Sequence, residues 1–223
     1  MEPLGLAPDI ILGDFDSADS ALLSRYADCG AAVRRYPPDK DYTDTELAVS
    51  AAVEDGCRKL LIFGAFGARI DHTFTNIQLM FKYALRGVPI VLADCYGISS
   101  ILTPGKTLFI DKSQPAASLL GLIDPARPLP ARPYPAPALS PQPPESPSSP
   151  SSPAPPASPF ISLLPIGGPA AGVSADGLKY PLCDAALEAC YTIGVSNEFA
   201  RRAATLEIRE GALLVMICAD KNT

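Results

Sequence analysis

A proline-rich tract interrupts this chain and constrains its fold more than any other feature. Residues 115–159 contain 16 of the 25 Pro, together with eight Ser and only four charged residues. Such a segment cannot bury enough apolar surface to offset the entropy of ordering its backbone. We predict a Pro/Ser-rich disordered linker here, joining residues 1–114 to residues 160–223. The alternative interpretation is a docking site for SH3- or WW-type modules, because PxxP motifs occur in the tract.

Composition excludes several classes of function. The 18 Lys and Arg against 24 Asp and Glu give a net charge of −6, which leaves no basic surface for nucleic acid or an anionic membrane. No apolar run approaches the ~20 residues that a membrane span needs, and the N-terminus lacks the layout of a signal peptide. The sequence therefore predicts a cytoplasmic protein without a nucleic-acid or membrane partner.

Before the tract, short apolar runs alternate with segments of helical period. Strands are predicted at residues 9–12, 31–35, 59–63 and 88–93, and helices at 20–29, 43–55 and 71–86. Thr43 and Glu46 have the spacing of a capping box at the start of the second helix. Alternating strands and helices predict a parallel α/β sheet for residues 1–114.

After the tract the pattern changes to short β-type runs separated by Gly, Asp and Asn. Strands are predicted at residues 160–164, 173–178, 191–195, 204–208 and 213–218. This spacing predicts a small antiparallel β-sandwich over residues 160–223.

Acidic residues gather where predicted strands or loops meet helices. The first group, Gly13-Asp14-Phe15-Asp16-Ser17, directly follows an apolar strand. In an extended segment Asp14 and Asp16 would point to the same side, because strand side chains repeat with a period of two. The carboxyl ends of parallel strands are also where open α/β sheets bind ligands.

Two further groups share this placement. Lys40-Asp-Tyr-Thr-Asp44 lies at the capped start of a helix, where backbone N–H groups attract anions. The third group runs from Gly64 to His72, between a strand and the next helix. Its small residues would let a ligand approach the backbone closely.

This residue chemistry favours a hard cation. His72 is the chain's single histidine, so a metal would be held mostly by oxygen, and Mg²⁺ bridging phosphates is the commonest such use. Structural roles remain open: Asp44 and Asp71 also suit helix starts, Arg69 suits a surface salt bridge, and His72 suits a satisfied structural site. The chain contains neither a Walker A loop nor a GxGxxG motif.

Five motifs in order resemble those of the bacterial-type thiamine pyrophosphokinase family. They are Gly13-Asp-Phe-Asp-Ser17, Lys40-Asp-Tyr-Thr-Asp44, Gly64 to His72 with Asn76, Gly177-Leu-Lys-Tyr-Pro-Leu182 and Ser196-Asn-Glu-Phe199. The resemblance covers nearly everything outside the Pro-rich tract. It implies an ATP- and Mg²⁺-binding α/β catalytic domain and a thiamine-binding β-sandwich, in a homodimer with the site at the subunit interface.

The activity implied by the resemblance is transfer of pyrophosphate from ATP to the hydroxyl of thiamine, with release of AMP. The implied catalytic residues are Asp14, Asp16, Asp44, Arg69 and Asp71. Of these, Asp14, Asp16 and Asp44 would surround Mg²⁺ and the transferring phosphates. The implied substrate-binding residues are Ser17, Lys40, Thr43, His72, Asn76, Ser196 and Asn197.

Two rival interpretations remain at this stage. A strand followed by Asp14-x-Asp16 also resembles the nucleophile motif of haloacid-dehalogenase-type phosphatases, which would form a phospho-aspartate at Asp14. The second rival is a degenerate family member that binds thiamine without activity. This rival arises because, compared with the family, the α/β domain is expected to lack its first strand.

Overall fold

The computed structural model describes residues 7–16, 19–37, 41–67, 69–119, 121 and 159–218 of the 223-residue chain. It divides into two compact units, Met1–Arg58 and Lys59–Thr223.

The first unit contains two strands and two helices. In chain order they are β1 (Ile10–Gly13), α1 (Ser20–Asp28), β2 (Ala32–Arg35) and α2 (Asp44–Glu54). The two strands pair in parallel, with Ile10 opposite Ala32 and Gly13 opposite Arg35. All four elements lie where the sequence predicts them.

Side-chain caps fix the start of both helices in this unit. Asp19 accepts a hydrogen bond from the Ala21 N–H at 2.8 Å. Thr43 Oγ1 accepts one from the Glu46 N–H at 3.2 Å, so the predicted cap on α2 is confirmed. Each cap satisfies a backbone donor that the helix itself leaves unpaired.

The second unit contains the remaining elements. They are β3 (Leu60–Phe63), α3 (Ile70–Ala84), β4 (Ile90–Ala93), β5 (Gly97–Leu102), β6 (Thr107–Asp111), α4 (Pro115–Leu119), β7 (Phe160–Pro165), β8 (Ala170–Asp176), β9 (Leu182–Leu187), β10 (Asn197–Glu198), β11 (Ala203–Glu207) and β12 (Leu213–Cys218). The short helix α4 occupies the first residues of the predicted linker. Residues 122–158 of that linker lie outside the described part of the chain.

The larger sheet of this unit has the strand order β10-β7-β12-β5-β4-β3. Only the β3–β4 pair is parallel, and the other neighbours are antiparallel. The prediction of a purely parallel sheet is therefore wrong, because β5 returns from β4 through a tight turn instead of a helical crossover. At the edge of the described sheet, Phe63 of β3 is 73% exposed.

The smaller sheet is antiparallel, in the order β6-β11-β8-β9. Apolar side chains of the two sheets form one core, so the two sheets pack face to face. The larger sheet contributes Val91, Leu102, Ile161, Leu163 and Val215, and the smaller one Ile110, Val173, Ala175, Ala204 and Leu206.

Strands from both sides of the Pro-rich tract build this sandwich. Before the tract, β5 and β6 pair with β12 and β11, which follow it. The described chain thus divides between Arg58 and Lys59, whereas the sequence suggested a boundary at residue 114. The prediction of a strand at residues 191–195 is wrong, because that apolar segment forms an exposed turn. The strand in this part of the chain is β9, which ends before the turn. No helix in the described ranges is long and apolar enough to cross a membrane.

Candidate functional site

The acidic turn after β1 is built differently from the prediction. The strand ends at Gly13, and Phe15 has a φ of 62°. Asp14 Oδ1 accepts a hydrogen bond from the Asp16 N–H at 3.1 Å, which closes an Asx turn. The expectation that Asp14 and Asp16 share one side of an extended strand is therefore wrong, because the backbone turns between them.

The start of helix α2 lies beside this turn. Asp44 Oδ2 is 3.8 Å from the position that a Cβ on Gly13 would occupy. Gly13 has a φ of 152°, which side-chain-bearing residues rarely adopt. The Asp44 carboxylate thus lies at ordinary contact distance from Gly13, the residue before the acidic turn. Ser17 and Lys40, both predicted to bind substrate, lie outside the described residues.

The described residues contain no group of three or more His, Cys, Asp or Glu side chains arranged to hold a metal ion. Asp14, Asp16 and Asp44 therefore do not form a ready-made three-carboxylate cage. The donor chemistry nevertheless fits Mg²⁺, which proteins commonly hold through one or two carboxylates while phosphate and water complete its shell. Asp14, the residue after Gly13, and Asp44, whose carboxylate lies near Gly13, are suitable donors of this kind.

In the second unit, Arg69 and Asp71 form a bidentate ion pair at the start of α3. Arg69 Nε donates to Asp71 Oδ1 at 3.2 Å, and Nη2 donates to Oδ2 at 2.5 Å. The hydrogen bond from Arg69 lowers the pKa of Asp71 to about 2. Both side chains are largely exposed, so the guanidinium remains reachable for an anionic ligand.

The loop between β3 and α3 is held from beneath by Asn76. Its Nδ2 donates to the Ala65 carbonyl at 2.9 Å, and Asn76 is buried. Thr73 Oγ1 accepts a hydrogen bond from the Gly67 N–H at 3.3 Å. Asn76, which was predicted to bind substrate, is thus a positioning residue for the loop. His72 is exposed at the same end of α3.

The sandwich motifs lie next to each other in the second unit. Asn197 Oδ1 accepts hydrogen bonds from the Tyr180 and Glu198 N–H groups, and Nδ2 donates to the Tyr180 carbonyl at 2.7 Å. Ser196 has a φ of 59°, and its N–H donates to Ser162 Oγ at 3.0 Å. Asn197 therefore fixes the backbone at Tyr180, while Ser196 remains exposed.

Sequence reasoning missed one acidic residue at a strand end. Asp94 directly follows β4, and its buried Oδ2 has no hydrogen-bond partner among the described residues. The signal was present, because Asp94 follows an apolar strand just as Asp14 follows β1.

Two family models match the chain, one before the Pro-rich tract and one that begins within its last residues. Residues 1–92 match "Thiamin pyrophosphokinase, catalytic domain". Residues 152–213 match "Thiamin pyrophosphokinase, vitamin B1 binding domain". The two matches follow the order of the motifs along the sequence.

Individual relatives extend the similarity along the chain. A thiamine pyrophosphokinase of Bacillus subtilis is 24% identical over 216 residues, which are 97% of this chain and 81% of the relative. Thiamine pyrophosphokinase 1 of Oryza sativa is 30% identical over 94 residues, which are 40% of this chain and 36% of the relative.

Solved structures agree in fold. The Bacillus subtilis thiamine pyrophosphokinase has a TM-score of 0.71 at 24% identity, over 98% of this chain and 82% of that one. A thiamin pyrophosphokinase family protein of Enterococcus faecalis has a TM-score of 0.70 at 22% identity, over 99% and 84%. With both models and the fold in agreement, this chain belongs to the thiamine pyrophosphokinase family.

Proposed function

We propose that this chain transfers the pyrophosphoryl group of ATP to the hydroxyl of thiamine. The thiamine oxygen attacks the β-phosphorus, the bond from that phosphorus to the AMP oxygen breaks, and AMP leaves. The observation that carries the proposal is the Asp44 carboxylate beside Gly13, at the acidic turn after β1. This turn and helix lie in the region that matches the family's catalytic domain.

The first unit supplies carboxylates for the phosphate end of the reaction. Asp14 and Asp44, with Asp16 next in the turn, would hold Mg²⁺ together with ATP. When bound, Mg²⁺ neutralises charge on the phosphate oxygens. The positive φ of Gly13 and Phe15 gives the turn its shape, so the carboxylates are oriented by the backbone before substrate arrives.

Arg69 and Asp71 act at the start of α3. Arg69 offers a planar pair of N–H donors that suits phosphate oxygens, and these donors are held by Asp71 in the described structure. The same pairing makes Asp71 a weaker proton acceptor, because it lowers the pKa of Asp71 to about 2. We therefore favour Asp14 over Asp71 as the group that takes the thiamine hydroxyl proton.

The sandwich would contribute to thiamine binding. Three exposed apolar side chains directly precede Ser196 and Asn197 in sequence: Tyr191, Ile193 and Val195. The exposed Tyr180 lies beside the same motif, because its backbone N–H donates a hydrogen bond to Asn197. Ser196, with an exposed side chain, is the better candidate for direct contact, whereas Asn197 holds the Tyr180 backbone. The proposed protein is a cytoplasmic homodimer. In this proposal Lys40, Thr43 and His72 lie near the substrates.

Asp44→Asn tests the proposal. We expect it to lower kcat/KM for AMP formation at least about 100-fold, since a lost charge at the phosphates weakens transition-state stabilisation. The matched control is Glu54→Gln, which removes an exposed acid from the other end of α2 and should leave turnover unchanged. Thermal unfolding of both variants checks that the loss is chemical. Undiminished AMP release by Asp44→Asn would remove this residue from the reaction.

A further inference from the structure

Asp94 lies beside the loop that joins β3 to α3. The parallel strands β3 and β4 pair with Phe63 opposite Ala93. The next residues, Gly64 and Asp94, therefore leave the sheet side by side at its carboxyl edge. Neighbouring strands are about 4.8 Å apart. This separation is short enough for one ribose ring to contact both Asp94 and the loop.

The Asp94 carboxylate has one satisfied and one unsatisfied oxygen. Oδ1 accepts a hydrogen bond from the Tyr96 N–H at 2.8 Å. Oδ2 is buried and has no partner among the described residues. A buried carboxylate oxygen without a donor is unfavourable, and a hydroxyl or amine from a ligand would relieve it.

A second unpartnered oxygen lies on the same face of the sheet. Ser99 is fully buried, and its Oγ also lacks a hydrogen-bond partner in the described structure. Ser99 is opposite Leu92, two residues before Asp94, so the Ser99 and Asp94 side chains share one face. The end of β4 and the strand beside it thus carry two polar oxygens without a partner among the described residues.

The neighbouring loop has room for phosphate. Apart from each glycine and its chain neighbours, no described residue has an atom within 4 Å of the position that a Cβ would take on Gly64 or Gly67, and Gly64 has a φ of 69°. Arg69 is the N-cap residue of α3, but its side chain accepts no hydrogen bond from the first N–H groups of this 15-residue helix. Helix starts of this kind attract phosphate.

We infer that Asp94 recognises the ribose of ATP, with Oδ2 accepting a hydrogen bond from the 2′- or 3′-hydroxyl. The inference rests on the proposed function, because that function makes ATP the nucleotide. In dinucleotide-binding α/β folds, which share this strand-loop-helix-strand order, an acidic residue after the first strand-loop-helix unit accepts a hydrogen bond from a ribose hydroxyl. Asp94 is thus a specificity-determining residue that distinguishes ribose from a sugar that lacks the 2′- and 3′-hydroxyls.

Equilibrium titration with two nucleotides tests this inference. Wild type, Asp94→Asn and the surface control Asp28→Asn are titrated with Mg·ATP and with Mg·2′,3′-dideoxy-ATP, without thiamine. We expect wild type and Asp28→Asn to prefer ATP by about 10- to 100-fold, the range for a hydrogen bond to a charged group. Asp94→Asn keeps an oxygen that can accept the Tyr96 N–H, but the preference should fall to about threefold or less.

Several outcomes would overturn the inference: no preference in wild type, an undiminished preference in Asp94→Asn, or no ATP binding at all. Should Asp94→Asn fail to fold, Asp94→Ser offers the Tyr96 N–H another acceptor and must show the same loss. The proposed function is judged separately. If wild type prefers ATP through Asp94 but forms no thiamine diphosphate, the ribose inference stands and the activity fails.

Discussion

Phe15 is held in an unfavourable backbone conformation between two carboxylates. Its φ of 62° costs about 1–2 kcal/mol for a bulky residue, and such strain is often found at functional sites. Arg35 lies over the Phe15 ring, with Cζ 4.9 Å from the centroid. This cation–π contact stabilises the turn that separates Asp14 from Asp16. Sequence alone could place the two carboxylates at a strand end, but not this conformation.

At the same scale, the Arg69–Asp71 pair predicts a pH dependence. Because the folded-state pKa of Asp71 is about 2 and lies below its ordinary value, the pairing stabilises the native state above that ordinary value. The stabilisation is lost as pH falls through about 2. In Arg69→Gln, the pKa of Asp71 should rise towards about 4, the ordinary range of an aspartate.

Carbon-detected NMR of the Asp71 carboxyl group measures this change directly. Arg58→Lys, a substitution at an exposed arginine of the first unit, provides the control and should leave the Asp71 titration where it is. An unchanged midpoint in Arg69→Gln would show that Arg69 does not set the charge of Asp71. The assignment of the low Asp71 pKa to the Arg69 hydrogen bonds would then be wrong.

Among the elements, helix α3 organises most of the second unit's candidate residues. Arg69 and Asp71 lie at its start, and Asn76 reaches back to the Ala65 carbonyl one turn further along. Its start, its end near Gly87 and its acidic first turn could all be predicted from sequence. The structural role of Asn76 could not, because a buried amide and a substrate-binding amide give the same sequence pattern.

Asn76→Ala should destabilise the protein by about 1–3 kcal/mol, since it leaves the buried Ala65 carbonyl without its donor. Urea unfolding measures the difference, and Gln78→Ala on the exposed side of α3 is the matched control. We also expect Asn76→Ala to raise the KM for ATP, because the loop before α3 loses its support. Wild-type stability in Asn76→Ala would contradict the positioning role.

For the whole molecule, the Pro-rich tract does not mark where the described structure divides. The β5 and β6 strands before it complete the two sheets with β12 and β11 after it. Local patterns identify most of these strands, but pairing between residues about 100 positions apart, such as Thr107 and Glu207, leaves no local signal. Hence the sequence could predict most of these strands but not which of them pair.

The central claim is that this chain makes thiamine diphosphate and AMP from thiamine and ATP. Incubating the full-length protein with thiamine, ATP and Mg²⁺, and quantifying both products by chromatography, tests it most directly. We predict equal amounts of thiamine diphosphate and AMP, and neither product when a chelator removes the metal. Release of inorganic phosphate with ADP, or no product with correctly folded protein, would contradict the claim.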